Sequence, residues 1–187
     1  MQTPKATTAE TTKSVWDPLI RLCHWAIGLC FAITYWLGSD WLGLHAQLGY
    51  TIALLVLFRV LWGFVGTQYA RFSEFVPGPT ELRSYFGTMH KRTLGHDPLG
   101  ALMIIALLVA LFLTALSGMT LWAMEGRGPL ASTFVVHWPG ALVEDLHHFA
   151  SDTTLALVIL HVAGVLIMGR LHKQRLIRAM FDGRKRA

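Results

Sequence analysis

Four long apolar runs constrain this chain more than any other feature of its sequence. They cover about residues 15–37, 45–66, 98–124 and 146–169, and each is close to the ~20 residues that a helix needs to cross a ~30 Å hydrocarbon core. Only 14% of the 187 residues are charged, against about 25% in an ordinary soluble domain. An open sheet would leave its edge groups unpaired in lipid, and no ten-residue alternation recurs for a barrel. We therefore predict an all-α membrane protein, a bundle of four transmembrane helices.

The basic residues are concentrated on one side of these runs. Lys and Arg occur before and at the start of the first run, in the connection 67–97 and in the tail 171–187, whereas the other two connections contain only Arg127. By the positive-inside rule, both termini and the 67–97 connection are cytoplasmic. The net charge of +5 then reflects topology, and we expect no nucleic-acid partner. The predicted organisation is a polar N-terminus (1–14), a helical domain (15–170) and a basic tail (171–187). Residues 79–89 fit an interfacial helix or a plain loop equally well.

Five histidines lie within the apolar runs, where an ionisable side chain is costly and is a functional candidate by default. They are His24, His45, His147, His148 and His161. At 100° per residue, His147 and His161 share one helix face about 21 Å apart, while His148 faces the other way. One metal ion cannot bridge that distance, because its ligands lie within about 2 Å of it. The spacing suits two haems, one above the other within the bilayer.

Depth along the helices assigns the partners of these ligands. His24 and His161 each lie nine residues from the predicted cytoplasmic end of their runs, about 14 Å, and His45 and His147 both lie at the opposite face. We predict that His24 and His161 bind the iron of a cytoplasmic-side haem, and that His45 and His147 bind that of a periplasmic-side haem. The crossed pairing would leave about 20 Å of axial mismatch.

Small residues and one arginine complete the predicted cofactor site. Each proposed ligand is followed one turn later by a small residue, which suits either porphyrin approach or helix packing: Gly28, Gly49, Ser151 and Gly164. Arg59 follows His45 by 14 residues and shares its helix face near the cytoplasmic-side haem. We favour an ion pair with a haem propionate, with snorkelling to the interface as the alternative. We assign no catalytic residue and expect the four remaining histidines to be solvent or interface residues: His90, His96, His137 and His172.

Several segments carry a family resemblance. They are VWDPLIRLCHW (15–25), LHAQLGY (44–50), FRVLWGFVGTQYARFSEF (58–75), GHDPLGAL (95–102), and LHH with LHVAGVL within 146–166. In combination they resemble the prokaryotic cytochrome b561 and nickel-iron hydrogenase cytochrome b family of four-helix, dihaem proteins. The resemblance covers residues 15–187 and places the bis-histidine ligands on His24, His45, His147 and His161. It implies two non-covalent haem b groups, a quinone (ubiquinone or menaquinone) as substrate, and the bacterial cytoplasmic (inner) membrane. Where the family commonly has Glu after the third ligand, this chain has His148.

Two axial histidines leave an iron no open position for oxygen, so we expect single-electron transfer. The chain is predicted to be an electron-transfer protein or quinone-linked oxidoreductase of a respiratory chain, between the quinone pool and a periplasmic c-type cytochrome or oxidoreductase subunit. The periplasmic connections hold four acids against one base, a net charge of −3: Asp40, Glu125, Glu144 and Asp145 against Arg127. That field repels superoxide, the substrate of one family subgroup, and attracts a basic partner.

Three alternatives stay open at this point. The first is a haem-bearing membrane anchor subunit of a hydrogenase- or dehydrogenase-type complex. The second is a superoxide oxidase that reduces ubiquinone. The third is a haemless metal or proton transporter that uses the same histidines. A homodimer in the lipid also stays open.

Overall fold

The computed structural model describes residues 12–14, 17–38, 40–74, 76, 78, 98–171 and 175–186. Four long helices dominate it: α1 (Pro18–Leu37), α2 (Leu42–Val65), α3 (Pro98–Met124) and α4 (Gly140–Leu171). All four are long and apolar enough to cross a membrane. The predicted fold class, an all-α bundle with four membrane-spanning helices, is confirmed.

Some helices begin or end at residues other than the ends of the apolar runs. At these positions, capping and exposure to solvent set the helix boundary, and apolarity does not. The apolar run begins at residue 15, but α1 starts at Pro18 because the carboxylate of Asp17 caps it, accepting the Leu19 N–H at 2.7 Å. The helix ends at Gly38, whose φ of 52° favours glycine. The sequence predicts that the fourth helix starts near residue 146, which is six residues after the start that the structure shows. Helix α4 begins at Gly140, and its first turns carry exposed acids that no apolar pattern detects.

Helix α3 occupies the centre of the packing. It packs against α4 and α2, and α1 packs against α2, whereas α1 and α4 have no comparable contact within the described residues. The buried core joins the first three helices: Phe31, Ile52, Val56 and Leu111. The hydroxyls of Thr114 and Thr154 lie 3.2 Å apart between α3 and α4, an interhelical bond typical of helices in lipid.

The two termini meet at one end of the bundle. A short strand, β1 (Thr12–Ser14), pairs antiparallel with β2 (Arg184–Arg186). Between α4 and β2, the short helix α5 (Leu176–Asp182) packs on α1: Phe181 stacks on Trp25 with ring centroids 4.5 Å apart, and the Arg21 guanidinium donates to the Phe181 carbonyl at 2.7 Å. We call this the basic end, and the opposite end, with connections 38–41 and 125–139, the acidic end.

Two 3₁₀ turns, Gln68–Ala70 and Phe72–Glu74, follow α2 at the basic end. The sequence did not predict them, nor the pairing of the termini. The assignment of the basic end to the cytoplasm stays a prediction. The segment 79–89, proposed as an interfacial helix or a loop, lies outside the described residues, as do His90, His96 and His172.

Candidate functional site

The structure brings four of the intramembrane histidines together in two pairs. His24 on α1 faces His161 on α4, with ring centroids 6.2 Å apart. His45 on α2 faces His147 on α4 at 6.1 Å. Two imidazoles bound to one metal from opposite sides have centroids roughly 6 Å apart, because each nitrogen lies about 2 Å from the metal and about 1 Å from its ring centre. Both spacings therefore fit a metal between the rings.

The donor set distinguishes a macrocycle from a bare ion. Among the described residues, no group of three or more His, Cys, Asp or Glu side chains is placed to hold a metal ion. A structural metal ion in a protein commonly takes four protein ligands, and each pair here offers two. A haem iron needs only axial ligands from the protein, since the macrocycle fills the other positions. Two histidines on opposite sides fit a haem and do not fit an ion held by protein alone.

Backbone carbonyls orient both histidines at the acidic end. The Nδ1 atom of His45 lies 3.1 Å from the Thr34 carbonyl, and that of His147 lies 3.0 Å from the Thr114 carbonyl. A carbonyl can only accept, so each Nδ1 carries the proton and each Nε2 keeps a free lone pair. The Ser117 hydroxyl, 3.1 Å from the same Nδ1 of His147, helps to hold that ring. This is the arrangement that orients metal-binding histidines in proteins.

Gly118 makes the position of His147 possible, and sequence reasoning missed it. A Cβ at residue 118 would stand 2.9 Å from Cε1 and 3.3 Å from Nδ1 of His147, inside ordinary contact distance. Gly118 lies one helical turn after Thr114, so the missing side chain lets the imidazole reach the Thr114 carbonyl. The only signal in the sequence is a glycine in an apolar run, which does not indicate the face that it occupies.

Open space lies beside three of the predicted small residues. Apart from the two chain neighbours and the helix's own backbone, no atom comes within 4 Å of the position that a Cβ would take at Gly28, Gly49 or Gly164. The fourth, Ser151, turns its hydroxyl back to the His148 carbonyl at 3.0 Å. A glycine beside a histidine pair leaves room for a flat ring to approach the helix backbone, and these three positions provide that room.

A cavity surrounds the pair at the acidic end. Its volume is about 810 Å³, within the range of about 300–1,000 Å³ that is usual for cofactor and small-molecule sites. Its lining includes His45 and His147, the open face at Gly49, and the core residues Phe31 and Leu111. The residues present at this end fit a haem in pair geometry, in volume and in the orientation of the donor nitrogens.

Arg59 is buried at the basic end of α2. It is 8% exposed, its Nη1 donates to the Ala70 carbonyl at 3.3 Å, and its guanidinium lies 5.2 Å from the centre of the Phe72 ring. The 3₁₀ turns after α2 thus cover this side chain, and snorkelling toward the basic end stays open as the alternative. Its pairing with a haem propionate stays a prediction.

Two further side chains lie near the acidic-end cavity. His148 is exposed and lies beside the pair, 6.2 Å from the His147 ring centre. Asp152, which the sequence count of acids at this end left out, accepts a hydrogen bond from the Tyr35 hydroxyl at 3.1 Å. The available signal was an acid inside an apolar run, four residues after His148.

Comparison with known proteins adds a family match. The profile of the prokaryotic cytochrome b561 family matches residues 15–183. Similar curated proteins include probable Ni/Fe-hydrogenase B-type cytochrome subunits of Azotobacter chroococcum mcd 1 (26% identical over 93% of this chain and 88% of the relative) and of Rhizobium leguminosarum bv. viciae (23%, 91% and 87%). The Azotobacter vinelandii subunit is 26% identical over 93% of this chain and 88% of its own length. No solved structure matches the chain at comparable significance.

Proposed function

Because the chain belongs to the prokaryotic cytochrome b561 family, and is thus a multi-pass b-type cytochrome of the inner membrane, we propose that it carries single electrons between the quinone pool and a redox partner at its acidic end. The observation that carries the proposal is the pair of matched histidine spacings, 6.2 Å and 6.1 Å. The two pairs lie about 21 Å apart along α4, one toward each membrane face. Two electron-carrying centres at these levels would let an electron enter or leave at either end of the bundle.

In this proposal, His24 and His161 hold one haem b, and His45 and His147 hold the other. When bound, haem would supply reversible one-electron chemistry, and two histidines on each iron would leave oxygen no place to bind. The Thr34 carbonyl keeps the His45 ring in its ligating tautomer. The buried core residues between the two levels exclude water from the path: Phe31, Ile52, Val56 and Leu111.

The charge of the acidic end supports a basic redox partner. All four acids counted from the sequence are exposed there, as is Arg127, whose guanidinium lies 4.8 Å from the Trp122 ring centre. A negative field steers a cationic protein toward this end and repels superoxide. Steering depends on ionic strength, because the Debye length falls from about 10 Å at 0.1 M salt to about 3 Å at 1 M.

The partner proposal is tested by the rate of electron exchange with a basic c-type cytochrome. We expect the second-order rate constant to fall steeply as salt rises, and to fall at low salt when the exposed acid Asp145 is replaced by Lys. A rate that stays constant from low to high ionic strength would remove the argument for a basic partner. Rapid reduction of the chain by superoxide would restore the superoxide oxidase alternative.

A second candidate function is that of a haem-bearing subunit that links a hydrogenase- or dehydrogenase-type complex to the quinone pool. The supporting observation is that the relatives described as Ni/Fe-hydrogenase B-type cytochrome subunits align over 87% to 88% of their own length. The two candidates differ in the partner at the acidic end, and both keep the two haems. Co-purification of the full-length chain with an oxidoreductase subunit in stable stoichiometry would favour the second candidate.

The cofactor proposal is tested on the purified chain. We expect a reduced b-type absorption spectrum, two haems per chain and two one-electron steps in a redox titration. One haem per chain would show that only one pair binds. A colourless protein would refute the proposal and leave the transporter alternative.

A further inference from the structure

We propose that Tyr35 and Asp152 form the proton-accepting site for a hydroquinone oxidised at the acidic end of the bundle, an inference that rests on the quinone-linked function proposed above. Tyr35 belongs to α1 and Asp152 to α4. The phenol hydroxyl donates to Oδ1 of the carboxylate at 3.1 Å. This bond joins two helices that otherwise pack on other neighbours, α1 on α2 and α4 on α3.

The pair lies at the rim of the cavity that contains His45 and His147. Both side chains line this cavity, and both are also exposed, Tyr35 by 42%. A group that is exposed on the outside and lines the cavity stands at its opening. Tyr35 lies two residues before the end of α1 at Leu37, and Asp152 lies six residues, about 9 Å, past the start of the fourth apolar run at residue 146. A hydroquinone whose tail lies in the lipid can therefore reach this opening from the side.

The distance from the pair to the candidate haem site suits electron transfer to it. Asp152 follows His147 by five residues, about 7.5 Å along the axis of α4. Tyr35 and Asp152 at the rim and His147 further inside line the same cavity. A headgroup hydrogen-bonded to Asp152 would thus lie closer to the level of His45 and His147 than to that of His161, which is nine residues or about 13.5 Å away along α4.

A polar strip leads from Asp152 to the aqueous phase. Residues spaced by four along a helix lie on nearly one face, and Glu144 and His148 precede Asp152 at this spacing on α4. Both are exposed and both line the cavity. The other titratable groups that face the cavity come from α2 and from the end of α3: His45, Tyr50 and Glu125. Glu144 lies eight residues, about 12 Å, from Asp152 along α4, so water in the open cavity would carry the proton between the two carboxylates.

The chemistry balances with the partner already proposed. A hydroquinone loses two electrons and two protons on conversion to a quinone. The two electrons would leave one at a time; His45 and His147 would hold the haem that supplies the one-electron chemistry, and two molecules of an oxidised c-type cytochrome would be reduced. The free oxygen of the Asp152 carboxylate accepts each proton in turn from a quinol hydroxyl and returns it to water, so that the carboxylate is regenerated. Tyr35 holds the other carboxylate oxygen and keeps the group at the rim.

The experiment uses the full-length haem-loaded protein in lipid nanodiscs, with decylubiquinol and menadiol as parallel donors and a basic c-type cytochrome as acceptor. For Asp152→Asn we expect kcat to fall tenfold or more with unchanged haem content, in line with the loss of a general base. Asp152→Glu keeps a carboxylate and should retain most of the activity. The matched control is Glu74→Gln, which removes an exposed carboxylate at the basic end, outside the cavity lining and away from the acids that would steer the cytochrome, and it should stay within twofold of the wild type.

A second readout is independent of turnover. A photoreactive azido-ubiquinone should label the peptides that contain Tyr35 and Asp152 in the wild type, and excess decylubiquinone should suppress this labelling. Labelling at the basic end, near His24 and His161, would overturn the inference. A wild-type kcat in Asp152→Asn would overturn it as well, since the pair would then be only a bond between helices.

These results separate the two proposals. If neither quinol reduces the wild-type haems, the quinone-linked function fails and this inference fails with it. If quinols reduce the wild-type haems and Asp152→Asn behaves in the same way, only the assignment of Tyr35 and Asp152 fails.

Discussion

Gly118→Ala tests whether His147 holds a haem in the position that the structure gives it. The substitution adds one methyl group to α3, directly against the imidazole. The new Cβ would stand 2.9 Å from Cε1 of His147, whereas carbon atoms in ordinary contact are about 3.5–4.0 Å apart, so the ring or the helix must move by roughly 0.6–1 Å. Such a shift takes Nδ1 out of good hydrogen-bonding distance of the Thr114 carbonyl, which is now at 3.0 Å.

The expected loss falls on cofactor binding more than on folding. Overpacking costs about 1–3 kcal/mol, and the better helix propensity of alanine offsets up to about 1 kcal/mol of it. Disturbing the hydrogen bond that orients a metal ligand lowers metal affinity about 10–100-fold, which corresponds to about 1.4–2.8 kcal/mol. We therefore expect Gly118→Ala to fold, to keep the haem at His24 and His161, and to bind the second haem 10–100-fold more weakly.

The assay is haem titration of the purified variant, with haem per chain and the two redox midpoints as readouts. Gly43→Ala is the matched control, because it adds the same methyl group to α2 at an exposed site where no atom lies within 4 Å of the new Cβ. If Gly118→Ala bound both haems with wild-type affinity, the positioning argument for His147 would be wrong. If His147→Ala also kept both haems, the ligand assignment itself would be wrong.

Two further predictions concern the remaining site residues. His161→Ala and His147→Ala should each remove one haem per chain. His148→Ala should remove none, because that ring lies beside the pair. Haem content after purification measures this, and haem loss in His148→Ala would show that His148, and not His147, is the ligand. Replacing Arg59 by Gln should lower the midpoint of the haem that we propose for His24 and His161, because a nearby cation favours the less positive reduced iron. The shift is roughly 60 mV if that preference amounts to a factor of ten, and an unchanged midpoint would show that Arg59 has no electrostatic effect on this haem.

The histidine pairing illustrates how far helix geometry alone can lead from a sequence to a site. The rise and rotation of a helix are constant, so the sequence positions of His147 and His161 alone predict a common face and a 21 Å separation. The ends of the apolar runs then place His24 level with His161. The start of α4 could not be predicted in this way, because its first turns extend beyond the apolar run and their exposed acids carry no membrane signal.

The sequence by itself determined the four spans, the asymmetry of charge and the levels of the two histidine pairs, since each depends on local composition or on the geometry of one helix. Only the tertiary structure decided which carbonyls orient His45 and His147, that Gly118 touches an imidazole, that the 3₁₀ turns cover Arg59, and that Tyr35 meets Asp152. These contacts depend on the rotation of each helix about its axis and on its distance from a neighbour remote in sequence. Those quantities follow from side-chain packing between helices, and no single run of residues contains them.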